Sequence, residues 1–287
     1  MVEAHERERK QRMAKQRIFI DDILSNENMN RAYKQVIKNK GAAGIDGMEC
    51  NDLFSHLKVN GHQLRESIRN QSYKPMPVKR VEIPKDNGGK RKLGIPTVTD
   101  RLIQQAAAQV LTPIYERKFH TNSYGFRPGK SAQQAVLKAA EYMNEGYNWV
   151  VDIDLEKFFD TVEHDKMISI LNKEIKDGKT LSLIRKFLAS GVMVGEQMEE
   201  TEIGTPQGGN ISPLLANILL NELDWELESR GLRFVRYADD CIILVRSEKA
   251  ATRVMKSVTK YIENVLRLKV NKDKSRIGRP TEIQYLG

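Results

Sequence analysis

Residues 234–245, Phe-Val-Arg-Tyr-Ala-Asp-Asp-Cys-Ile-Ile-Leu-Val, set two adjacent carboxylates between two apolar, β-forming runs. Residues 232–237 and 241–245 read as strands. So short a link between them predicts a tight hairpin with Asp239 and Asp240 at its tip. Carboxylates beside buried strands are costly unless something neutralises them. Such a tip reads either as a polar turn, where Asp is common, or as a cation site.

A second acidic strand favours the cation. Residues 149–155, Trp-Val-Val-Asp-Ile-Asp-Leu, have the two-residue alternation of a strand, with Val150, Asp152 and Asp154 on one face and Val151, Ile153 and Leu155 on the other. If the two strands are neighbours in one sheet, Asp154, Asp239 and Asp240 converge. Hard oxygen ligands suit two Mg²⁺ ions, with Mn²⁺ able to substitute. Two such ions ~4 Å apart stabilise both the attacking and the leaving oxygen of a phosphoryl transfer.

The remaining chain alternates helices with strands. Residues 1–20 are dominated by charge, including Arg12 and Lys15, and read as a solvated helix or a basic arm. An amphipathic helix over 21–38 leads into the glycine-rich stretch 41–47. A short helix follows over 64–70. The stretches 78–85 and 91–96 flank Asp86-Asn-Gly-Gly89, a strong hairpin signal. Lys85 and Arg91 at its ends are suited to a triphosphate clamp, or simply solubilise an edge hairpin. Helices are expected over 98–119, with Pro113 ending or kinking it, and over 131–144, capped by Ser131. Further helices fall over 165–174, 181–190, 214–228 and 250–266. A hairpin is expected over 192–203, and short strands over 268–270, 275–277 and 283–285. This order predicts an α+β architecture.

Charge and cysteine usage narrow the class. The chain has 287 residues and a net charge of +9. Lysines and arginines outnumber acids seven to two over 72–93 and six to one over 265–279, whereas acids lead eight to four over 150–177. Basic flanks around an acidic centre suit a protein that grips phosphates while holding cations. Cys50 and Cys241 form no C-x-x-C pair, which argues against a disulfide framework or structural zinc. No run approaches a membrane span, and the N-terminus is too charged for a signal peptide, so a soluble cytoplasmic protein is expected.

Taken together, the motifs resemble the reverse transcriptase domain of group II intron-encoded proteins, the maturases, over nearly the whole chain after about residue 28. Tyr237-Ala-Asp-Asp240 resembles the polymerase hairpin, and Asp154-Leu-Glu-Lys-Phe-Phe-Asp160 the upstream catalytic strand. The segment under the incoming nucleotide is matched by Gly204-Thr-Pro-Gln-Gly-Gly-Asn-Ile-Ser-Pro213, continuing as Leu-Leu-Ala-Asn217. Ile83-Pro-Lys85 with Arg91 and Leu93-Gly-Ile-Pro96 matches the fingers hairpin; Ser123-Tyr-Gly-Phe-Arg-Pro128, Arg31-Ala-Tyr33 and Gly44-Ile-Asp-Gly47 match early blocks.

The resemblance implies a right-hand polymerase: a basic N-terminal arm over 1–20, fingers over 21–147 and palm over 148–287, with helices of about 180–215 also assignable to the fingers. The palm would be an antiparallel sheet packed with helices. The last residues match the start of the primer-gripping block, so the thumb is expected to be missing. The resemblance also implies catalytic roles for Asp154, Asp239 and Asp240, with Leu155 joining them as a metal ligand. Lys85, Arg91, Phe159, Gln207 and Lys274 would bind nucleotide, Phe159 by excluding a ribose 2′-hydroxyl. Arg31, Gly44, Arg127, Arg12 and Lys15 would contact RNA or template. The implied partners are group II intron RNA, an RNA template with a DNA primer, and dNTPs; a homodimer stays open. The alternatives are a non-catalytic RNA-binding maturase module and a retron-type reverse transcriptase.

Overall fold

A computed structural model of the chain describes residues 19–84, 90–194, 197–199, 204 and 208–286, with Arg91 and Glu199 described in their backbone alone. The fingers begin with α1 (Ile20–Ile23), α2 (Asn26–Asn39) and α3 (Leu53–Arg69). Ser25 caps α2 by accepting from the Asn28 N–H, and Lys40 ends it in the left-handed region at φ 47°. The sequence reading caught only the last turns of α3. Leu53, Leu57, Leu64 and Ile68 share one inward face, and their burial outweighs the weak helix propensities of Val59, Asn60 and Gly61 between them.

β1 (Val78–Pro84) and β2 (Lys90–Ile95) form the expected hairpin, with Ile83 opposite Arg91 and Pro84 opposite Lys90. α4 (Val98–Glu116), capped by Thr97, follows. Pro113 lies inside α4 without ending it. After α5 (Ala132–Asn144) the chain enters β3 (Trp149–Ile153), then α6 (Phe158–Thr161), α7 (His164–Leu171) and α8 (Gly178–Leu188). The next elements are β4 (Val192–Val194), β5 (Gln197–Glu199), α9 (Ser212–Ser229), β6 (Arg233–Tyr237), β7 (Asp240–Val245), α10 (Glu248–Tyr261) and β8 (Arg276–Gly278).

The strands form two four-stranded sheets, ordered β2-β1-β4-β5 and β6-β7-β3-β8. The second is antiparallel throughout and is the palm sheet. In the first, β4 runs parallel to β1, so residues near 192 return to the fingers hairpin. Of the expected late strands, 268–270 contributes only a Leu155–Val270 bridge, and 283–285 is not a strand. Pro280 opens a 3₁₀ turn there, and a proline has no N–H to continue a ladder.

The alternation read in β3 separates two cores. Val151, Ile153 and Leu155 join the main cluster, whereas Val150 joins a smaller one with Val235, Ile242 and Leu244. α5, read from the sequence with the fingers, supplies Ala135, Ala139 and Tyr142 to this smaller cluster and so packs on the palm sheet. The main cluster runs unbroken from α2 through α4 into β7 and α10. Fingers and palm therefore share one core. Among the described residues no helix is long and apolar enough to cross a membrane.

The central position of α4 predicts an asymmetric response to truncation. Leu102 is fully buried, whereas Leu137 on α5 is 69% exposed. Leu102→Ala should cost about 2–5 kcal/mol, and Leu137→Ala less than about 0.5 kcal/mol. Urea denaturation of the two variants checks this.

Candidate active site

One strand register sets where the expected acids lie relative to one another. β3 pairs antiparallel with β7, and Ile153 faces Cys241. Asp154 stands one residue beyond that pair and Asp240 one residue before it, so the same register places them opposite one another. Tyr237 pairs with Asp240 across the hairpin, leaving Ala238 and Asp239 as a two-residue tip. Ala238 takes φ 56°, the left-handed value that tight hairpin turns require.

The acids feel one another. Burial, and then the charges of Asp239, Asp152 and Asp154, push the Asp240 carboxyl up to about 6, although solvent reaches the residue. Burial also raises Asp152, opposed by Arg276 on β8, whose Nε lies 3.5 Å from its carboxylate. Such mutual repulsion is what a divalent cation relieves. The backbone of Asp154 is fixed by residues 271–275: its N–H donates to Ser275 Oγ at 3.1 Å, and its carbonyl accepts from Asn271 N at 2.8 Å. This contact brings Lys274 Nζ to 3.8 Å from Asp154 Oδ2. Leu155 buries its side chain, so only its main-chain carbonyl is a potential ligand. Burial pushes the neighbouring Cys241 thiol up, keeping it protonated.

The hairpin tip is mounted on a residue the sequence reading passed over. Arg236 is fully buried and uses all five guanidinium donors. Nε and Nη2 donate to the two Asp224 oxygens at 2.7 and 2.6 Å, and Nη2 also to Ser123 Oγ at 2.8 Å. Nη1 donates to Asn217 Oδ1 at 3.0 Å and to the Ala238 carbonyl at 2.7 Å, at the turn itself. Asn217 Nδ2 in turn donates to the Gly125 carbonyl at 2.8 Å. A Cβ on Gly125 would stand 2.2 Å from Ala238 N, so only glycine lets that loop close on the turn. A signal for this mount existed. Arg236 interrupts an apolar strand, and Asn217 and Asp224 lie seven residues apart on one face of an apolar helix.

Around the acids opens a cleft of about 1540 Å³ whose lining includes Asp154, Asp239, Asp240, Phe159 and Lys274, with Arg80, Lys90, Lys92 and Lys269 among its basic residues. Phe158 is buried in the core, while Phe159 is half-buried and packs edge-on against it, centroids 5.1 Å apart. Gly204 and Gly208 each sit tightly against a neighbouring element. Gly204 N–H donates to the Val162 carbonyl at 2.8 Å. Gly208, at φ 109°, lies so close to β2 that a Cβ would meet the Gly94 carbonyl at 2.3 Å.

Lys85, Gln207, Arg12 and Lys15 lie outside the described residues. Arg31 is exposed on α2, with Nη2 donating to Asn28 Oδ1 at 3.1 Å. Gly44 and Arg127, expected at RNA or template, are used internally instead. Gly44 is buried against the Thr97 backbone. Arg127 binds Glu116, donates to the His120 and Ser123 carbonyls, and stacks over Phe119, which leaves its guanidinium occupied.

Breaking the mount should be costly. Asp224→Ala strands a buried charge and should lower stability by about 3–5 kcal/mol. Asn217→Ala should cost about 1–3 kcal/mol. Asp165→Ala, which opens the exposed Arg185–Asp165 pair, should leave the denaturation midpoint nearly unchanged. Urea titrations of the three variants rank them.

Comparison with known proteins gives the family. The family described as Reverse transcriptase (RNA-dependent DNA polymerase) matches residues 83–287. Protein YkfC of Escherichia coli (strain K12) is 32% identical over 295 residues, covering 89% of this chain and 77% of that protein. The group II intron-encoded protein LtrA of Lactococcus lactis subsp. cremoris is 41% identical over 213 residues, covering 74% and 35% respectively. The putative COX1/OXI3 intron 2 protein of Saccharomyces cerevisiae is 30% identical over 318 residues, covering 89% and 37%. The chain thus spans well under half the length of these two intron-encoded relatives. Among solved structures, a chain of the partial Cas6-RT-Cas1–Cas2 complex matches with a TM-score of 0.53 at 27% identity, over 85% of this chain and 42% of that one. Telomerase from Candida albicans matches with a TM-score of 0.56 at 14% identity, over 75% and 45%, a likeness of fold alone. The fold is the α+β fingers-and-palm arrangement, and the chain belongs to the reverse transcriptase (RNA-dependent DNA polymerase) family, in its group II intron-encoded branch.

Proposed function

We propose that the cleft carries out RNA-templated addition of deoxynucleotides to a primer 3′-hydroxyl, and that the chain binds group II intron RNA and assists its splicing. The observation that carries this reading is the register that sets Asp154 opposite Asp240, beside Asp239, in a cleft with basic walls. Carboxylate oxygens and a main-chain carbonyl form a hard donor set that fits Mg²⁺, or Mn²⁺ in its place. Among the described residues no three acidic, histidine or cysteine side chains form a group that could hold an ion. In this reading substrate phosphates complete the shell. Two bound ions would supply Lewis-acid stabilisation of the attacking and leaving oxygens.

The protein's own groups do the rest. Arg80 and Lys92 supply positive charge on the fingers side of the cleft. Lys274 is within reach of Asp154 and is placed to meet the leaving pyrophosphate once phosphates draw it away. Phe159 presents its ring to the cleft from a turn fixed by Phe158, where it excludes a 2′-hydroxyl by overlap. Lys85, Arg91 and Gln207 complete the nucleotide contacts in this reading. Arg31 and the arm residues Arg12 and Lys15 contact RNA.

Extension of oligo(dT) on poly(rA) with Mg²⁺ or Mn²⁺ tests the proposal. Asp154→Asn and Asp239→Asn should each lower the rate on the order of 10²–10³-fold, the scale of losing one electrostatic stabiliser. Wild-type protein inert with both metals would overturn it. For sugar selection, the ratio of kcat/KM for dNTP and rNTP should fall about tenfold or more in Phe159→Ala. Phe158→Ala should instead cost stability and leave that ratio alone.

A further inference from the structure

A second basic surface lies outside the cleft. α10 carries Lys249, Arg253, Lys256 and Lys260, and its one acid is Glu248 in the first turn. Steps of four, three and four residues keep the four cations within an arc of about 60°, over about 16 Å of helix. All four are exposed, and none has a hydrogen-bond or ion-pair partner among the described residues. Like charges at these spacings oppose the helix they sit on. The helix is held by its other side, where Ala251 and Val258 are buried and Val254 and Met255 pack on the main core. Among the described residues, no side chain pairs with the stripe.

Two stacked arginines stand at its N-terminal end. Arg246, two residues before α10, lies 4.4 Å over the Tyr147 ring, and Arg279 lies 4.4 Å over the Trp149 ring. Trp149 pairs with Val245 at the end of the palm sheet opposite Asp154 and Asp240. Arg279 also donates Nη1 to the Asn148 carbonyl at 3.2 Å. A guanidinium over an aromatic face can still turn its remaining N–H groups to a phosphate anion. Past the helix's other end, Arg267 and Lys269 line the cleft. The cations therefore form a path from the cleft to the far end of the palm.

We propose that the α10 stripe, with Arg246 and Arg279 at its end, docks the phosphate backbone of a folded RNA helix outside the reaction cleft. This rests on the RNA-directed reading above and names the surface that holds RNA without templating. An A-form helix is recognised through its phosphates and 2′-hydroxyls across a shallow minor groove, which an exposed row of cations can follow. A membrane is the poorer fit. α10 turns its apolar side inward, and none of the exposed large hydrophobic residues lies on it, so nothing would insert between lipids.

The test uses the full chain with Lys249→Gln, Arg253→Gln, Lys256→Gln and Lys260→Gln combined, and a labelled RNA hairpin of about 20 base pairs as probe. Filter binding between 50 and 200 mM KCl should show at least a tenfold loss of affinity at low salt. The log–log salt slope should become shallower by about 3. Extension of oligo(dT) at saturating poly(rA) should stay within twofold of wild type. Lys249→Arg, Lys256→Arg and Lys260→Arg together should bind as wild type. If the fourfold variant does not fold, Arg253→Gln with Lys256→Gln should still shift the slope by about 2. Unchanged affinity and slope overturn the proposal. So does a loss seen on phosphatidylglycerol vesicles but not on the hairpin. Asp239→Asn separates the two readings: it should abolish extension and keep hairpin binding. Failure of wild-type extension would sink the polymerase reading alone and leave the hairpin result standing.

Discussion

The catalytic hairpin depends on a buried ion pair. Taking Arg236 and Asp224 out of water is expensive, and only near-complete hydrogen bonding offsets that cost. The pair achieves it, with every guanidinium donor used and both Asp224 oxygens engaged. A hydrophobic pair of similar volume would hold helix to strand equally well. It would not reach the Ala238 carbonyl, and so would not fix the turn that carries Asp239. The polar network is what gives the tip a single position, through Asn217 on one side and Ser123 with Gly125 on the other. A carboxylate in the proposed metal role gains from a support this rigid.

The same logic extends to the cleft. Asp154 is held through its main chain by residues 271–275, Gly204 is seated on the α6 turn, and Gly208 is seated on strand β2. Because the main core runs continuously from α2 to α10, the fingers and palm halves of the site are not independent bodies. Among the described residues, Phe159 and Lys274 line the same cleft as the acids. Positive charge is divided between the cleft and the outer face of α10.

The sequence determined the hairpin and the acidic strand. Period-2 alternation and apolar flanks are local properties, so the strands that carry Asp154, Asp239 and Asp240 were legible, as was the pairing of β1 with β2. Elements that depend on distant partners were less so. α3 looks weak locally because of Val59 and Gly61, and burial of Leu53 and Leu57 against other helices decides it. The strand expected over 283–285 does not form, while α5 joins the palm because its apolar face meets β6 and β7. Tertiary structure alone settled the use of single polar side chains. Gly44 and Arg127 carry residue types suited to nucleic acid, yet packing and ion pairing commit them internally. Arg236 reads in sequence as one more base in a basic protein. It becomes the support of the active site only because folding removes it from water, where a charge must either find partners or not be there.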